Sequence, residues 1–161
     1  MPIILSERAF LLRTRADGTR EASWRVWILV FVAPVLFLVA AAFLTFESAS
    51  FVLRAERTAG TVTRVYAWEG PVYGPVFDYR DASGQTRSAS NGMSSANWNF
   101  AIGSQHDIYV LPGSNGDVRL ANFERLWLLP TVIAGIGLAL MIPALIVALM
   151  IRRWLRGGAA R

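Results

Sequence analysis

His106 is the only histidine in the chain and Asp107 follows it directly, so an acid–base pair is the first chemistry to weigh. Adjacent residues of a strand point to opposite faces, which separates the two side chains and leaves His106 a structural role. Ser104 and Ser114 lie close by in sequence. Neither stands in a G-x-S-x-G turn, and no glycine-rich phosphate loop of the Walker type occurs. Two carboxylate pairs remain, Asp78 with Asp81 around a hairpin turn and Asp107 with Asp117 across another. Acid–base work by such a pair needs an apolar pocket that drives the two pKa values apart, whereas this spacing is the ordinary one of solvated turns. Without cysteine there is no thiol nucleophile, and one histidine makes no conventional zinc cluster. The expectation is no catalytic residue, no metal ligand and no cofactor.

A binding role has one local candidate. Residues 91–100, NGMSSANWNF, frame two aromatics with amides. Asn97, Trp98, Asn99 and Phe100 would suit a polar glycan-like or peptide ligand, with aromatic faces for contact and amides for hydrogen bonds. The competing reading, and the preferred one, is a loop whose two aromatics plug the end of a small barrel.

The elements that must carry these residues follow from composition. Of 161 residues, 54% are hydrophobic and only 17% charged, an apolar surplus beyond what a soluble core of this size takes up. Residues 26–46 and 126–151 are both free of charge. As helices rising ~1.5 Å per residue they reach about 32 and 39 Å, enough for a ~30 Å hydrocarbon layer, and each is read as a transmembrane helix. Trp24, Trp27, Trp127 and Trp154 stand at their ends as interfacial anchors. Pro34 and Pro143 fall inside and suggest kinks, while Pro130 suits a first helical turn. Gly135 and Ala139, four apart, form a small-residue face for helix packing, against the chain's own first span or a second copy. No ionisable side chain lies inside either span, which argues against a proton or ion path. The first apolar run is too long, and its basic leader too extended, for a cleaved signal peptide.

All 16 basic residues are arginine, and the net charge is +5. The excess sits in residues 1–25 and 152–161, while 47–125 is nearly neutral. Arginine resists translocation, so both termini are placed in the cytoplasm and residues 47–125 outside it. Nucleic-acid binding is not expected from so sparse a set. Ahead of the first span, Ile3–Leu5 and Phe10–Leu12 between charges read as a short interfacial helix or a disordered tail.

Residues 47–125 are rich in glycine, proline, serine and asparagine between short apolar runs. The first helix is expected to continue past the bilayer until Gly60 stops it. Strands are expected at 61–68, 72–80, 85–89, 106–111 and 118–121. In the second, Tyr73, Pro75, Phe77 and Tyr79 share a core side, and the turn at 81–84 makes an antiparallel hairpin with the third. The fold class is thus an α+β membrane protein, two transmembrane helices flanking a small antiparallel sheet or barrel-like domain.

Gly60-Thr61-Val62, Tyr73-x-Pro75-x-Phe77-x-Tyr79, the Gly84 turn, and Gly103 leading through Ile108 to Pro112 carry a resemblance. With the second span that follows, the chain resembles the bacterial membrane family catalogued as domain of unknown function 3592. Residues 103–112 depart from that family's run, with His106 at a usual valine and Val110 at a usual tyrosine, and Asn115-Gly116 replaces asparagine-proline. The resemblance implies a span–β-region–span layout and carries over no catalytic residues, since that family has no established activity. The preferred expectation is a non-enzymatic protein of the bacterial inner membrane whose extracytoplasmic β-domain contacts a membrane or envelope partner. Beside it stand an accessory subunit of a transport or enzyme complex, or a homo-oligomer, through Gly135 and Ala139, and an envelope hydrolase working through Asp78 or Asp107.

Overall fold

The structure, a computed structural model, describes residues 12–14, 20–81, 83–113 and 117–157. Two long apolar helices flank an antiparallel five-stranded curled sheet in the chain. Strand β1 (Leu12–Thr14) pairs with β2 (Arg20–Ala22), and helix α1 runs Trp24–Arg54. Strands β3 (Glu56–Trp68), β4 (Val72–Arg80), β5 (Thr86–Ser90), β6 (Gln105–Val110) and β7 (Val118–Leu120) follow. The short helix α2 (Phe123–Leu126) then leads to α3 (Leu128–Gly157). The pairing of β1 with β2 differs from the helix or tail expected there; the rest of that expectation, residues 3–11, lies outside the described residues. The chain divides into two compact units, Met1–Ala42 with Val132–Arg161, and Phe43–Thr131.

In the first unit the buried positions of α1 include Val26, Pro34 and Ala41, and those of α3 are Gly137, Ala144 and Ala148. Pro34 and Ala41, like Gly137 and Ala144, stand seven apart, the repeat that keeps one stripe of a helix against a neighbour. Small residues in that stripe let the two helix backbones approach closely. A Cβ added at Gly137 would lie 3.0 Å from Leu38 Cγ. The Arg152 guanidinium lies 5.8 Å from the Trp27 ring centroid, so the start of α1 and the end of α3 are neighbours.

The second unit is a half-barrel of strand order β5-β4-β3-β6-β7, antiparallel throughout. It stays open between β5 and β7. The alternation in β4 places Pro75, Phe77 and Tyr79 in the core with Val62, Ala89, Trp98, Ile108, Val118 and Leu120. A bulge between Val62 and Arg64 adds one residue to β3, so Val62 and Val65 both face the core although three apart. The helix does not continue to Gly60. It ends at Arg54, whose Nε donates to Ser50 O at 2.9 Å, and β3 begins at Glu56 opposite Val110. Gly60 instead lies within β3, where its missing side chain admits Ile108: an added Cβ would meet Ile108 Cδ1 at 2.7 Å and Phe77 Cβ at 3.1 Å. Pairing with β6 outweighs helix continuation because it satisfies the backbone while burying Ile108.

Candidate functional site

The amide-rich loop is held by one carboxylate. Asn122 caps α2, its Oδ1 accepting from Arg125 N at 2.8 Å, and so places Glu124 in the first turn. The Ser95 hydroxyl donates to Glu124 Oε1, Trp98 Nε1 donates to Oε2 at 3.2 Å, and Asn97 Nδ2 lies 3.4 Å from both oxygens. The indole body meanwhile is 2% exposed within the sheet's core. Burying a tryptophan ring while its N–H finds an acceptor is the arrangement that side chain favours. Phe100 also turns inward and stacks on His106, ring centroids 3.9 Å apart. Of the four candidate residues, Asn97 and Asn99 are the exposed ones, so the loop presents amides outward and keeps its aromatics inside.

Asn91, at the start of this loop, has a task that composition did not indicate. Its buried Oδ1 accepts from Leu120 N at 2.7 Å, bridging from the end of β5 to β7 across the opening of the half-barrel. Its Nδ2 has no hydrogen-bond partner among the described residues. Arg125 Nε donates to Asn91 O at 3.3 Å, and burial pulls the Arg125 guanidinium below its ordinary pKa, with Arg119 nearby adding to the effect. Arg119 donates to Glu47 at 2.7 and 3.3 Å and lies 3.9 Å from the Phe51 ring centroid. This combination of a forked ion pair and a cation over an aromatic face fastens the last turns of α1 to β7.

Comparison with protein-family models, curated proteins and solved structures found no match.

The candidate acid–base groups each face a partner of their own. His106 pairs with the Ser104 hydroxyl at 3.0 Å and touches Phe77 and Phe100, while Asp107 on the opposite face binds Arg57 at 2.5 Å. Asp78 accepts from the Ser88 hydroxyl and from Thr63 at 3.4 Å. Asp81 binds Arg87 at 2.6 Å, and Asp117 lies 3.8 Å from Arg119 Nε. Among the described residues no three histidine, aspartate or glutamate side chains converge on a common point. Gly135 and Ala139 both lie exposed on α3, with nothing within 4 Å of a Cβ added at Gly135. Gly137, two residues on, is the glycine packed against α1. Glu124 and Asn91, the two residues that organise the loop, escaped sequence reasoning. The available signals were Asn122 ahead of an acidic first turn and an asparagine directly after a strand.

Proposed function

We propose that the chain is a two-span integral protein of the bacterial inner membrane, both termini cytoplasmic, whose extracytoplasmic β-unit is a non-enzymatic contact module for a membrane or envelope partner. The observation that carries the reading is the uncovered apolar surface of the helices. Their most apolar windows have mean hydropathies of 2.8 and 2.7, yet only 17% of each window is buried within the protein. Leu36, Val39, Phe43, Phe46, Leu138 and Ile142 are all exposed. Each would forgo roughly 1.5–3 kcal/mol of burial in water, and lipid removes that cost. Arg152, Arg153 and Arg156 beyond the second apolar run, together with the proximity of Arg152 to Trp27, favour one cytoplasmic side for both helix ends. Membership of the bacterial family named above belongs to this same proposal.

The contact role draws support from the arm that β3 and β4 form beyond the last β4–β5 pair. Tyr66 and Trp68 on that arm are exposed, as is Met93 beside it, and the Trp68 indole lies over Gly74. Exposed tryptophan and tyrosine outside a satisfied core are the residues that anchor protein contacts. The accessory-subunit reading has its own support in the open Gly135–Ala139 face of α3.

Two measurements on native membranes test the proposal. Washing with alkaline carbonate leaves an integral protein in the pellet, and release into the supernatant refutes insertion. A photo-crosslinker at Trp68 captures one discrete partner; a lone uncrosslinked chain after illumination refutes the contact role.

A further inference from the structure

The ladder between β3 and β4 ends at Thr61 opposite Asp78. Beyond it β3 runs on to Glu56 paired with β6 alone, and β4 runs on to Arg80 paired with β5 alone. The sheet forks here. In an antiparallel ladder each residue turns both backbone groups to one side, and Val62 N donates to Ser104 O on the β6 side. Gly60 and Thr58 therefore also turn toward β6, whereas Ala59 and Arg57 turn their N–H and C=O groups into the fork. Asp81 N donates to Gln85 O on the β5 side, so Arg80 faces the fork from the other edge. Two hollows of about 480 and 350 Å³ lie in this gap and share Thr58, Tyr79 and Arg80.

The charges around the larger hollow are unevenly used. Arg57, Arg80 and Arg87 line it against two carboxylates, Glu56 and Asp81. The Asp81 oxygens already accept from the Ser83 hydroxyl, from Ser83 and Gln85 backbone N–H, and from Arg87. Arg57 engages Asp107 through one nitrogen and Arg87 engages Asp81 through one, which leaves each guanidinium with free N–H groups. Arg80 forms no ion pair with any described residue. A cleft with a free guanidinium, two half-used ones, strand-edge N–H donors and an apolar wall at Tyr79 and Val110 matches a tetrahedral oxyanion attached to an organic group.

We propose that the fork binds a phosphate group, with Arg80 as its principal contact and Arg57 and Arg87 flanking it. The phosphate belongs either to a soluble ester or ion, or to a lipid headgroup. Full-length protein in phosphatidylcholine nanodiscs, titrated with inorganic phosphate and followed by ³¹P line broadening, tests the first source. Detergent extraction from discs containing phosphatidylglycerol, with the co-extracted lipid counted by mass spectrometry, tests the second. Arg80→Gln is expected to weaken phosphate binding, or to lower lipid retention, by about tenfold or more, the effect of losing a charge-assisted contact. Arg80→Lys keeps the charge without the planar fork and retains part of the effect. Arg64→Gln, which alters an exposed arginine on the Tyr66 arm, changes neither readout. Saturable phosphate binding that depends on Arg80 identifies a soluble ligand, and Arg80-dependent lipid retention without it identifies a headgroup. Equal behaviour of wild type and Arg80→Gln in both arms overturns the proposal. So does an Arg64→Gln loss as large as that of Arg80→Gln.

Discussion

Asp81 shows how a single side chain closes a turn. The Ser83 hydroxyl at 2.5 Å does most to hold its carboxyl down to about 2 from an ordinary 3.8; burial opposes this, while Arg87 and the Gln85 and Ser83 backbone add to it. A folded value below the unfolded one means that the support is present above about pH 4 and disappears as pH falls through 2. Thermal midpoints recorded across that window should drop for the wild type. Asp81→Asn should start lower at neutral pH and vary less, and parallel profiles would show that Asp81 does not govern the acid response. The turn itself was legible, since an aspartate before serine and glycine is a local signal. The inward direction of Trp98 is the preferred reading of the loop, but local sequence does not fix it. One loop can present an indole or bury it, and the choice was made by Glu124, which comes from a different element 26 residues away.

At the scale of elements, two glycines in one helix have opposite roles. A Cβ at Gly137 would crowd Leu38 Cγ at 3.0 Å and Leu38 N at 3.2 Å, and a backbone amide cannot swing aside as a side chain does. Gly137→Ala is expected to destabilise the helix pair by about 1–3 kcal/mol, the usual range for overpacking. Gly135→Ala meets open space and gains helix propensity, so it should be neutral or stabilising by up to about 1 kcal/mol. Unfolding of both variants in detergent, followed by helical circular dichroism, checks the contrast; equal losses would remove the seam from this account. Spacing alone singled out Gly135 and Ala139, because a small-residue pattern says which faces allow close approach and not which face a neighbour takes. The strands were more readable. Alternation placed β4 from Val72 to Arg80 as observed, but the bulge in β3 shifts the inward face by one residue and leaves no mark in a period-two pattern.

For the whole molecule, the proposed topology separates two surfaces that a cysteine-free chain allows to be labelled one at a time. Glu69→Cys sits in the turn between β3 and β4, and Arg156→Cys near the end of α3. In intact cells with a permeable outer layer, a membrane-impermeant maleimide should label the first and spare the second until the inner membrane is broken. The reverse pattern would invert the topology, and labelling of both in intact cells would exclude it.

Composition and periodicity by themselves determined the two apolar helices, the antiparallel β-region between them and the inward side of β4, because these depend on how many neighbouring residues shun water and at what interval. The open edge of the sheet, the fork between β3 and β4, the inward turn of Trp98 and the choice of Gly137 over Gly135 were decided only by the tertiary structure. Each depends on which distant group supplies a hydrogen bond or a van der Waals surface, and distance along the chain carries no record of that.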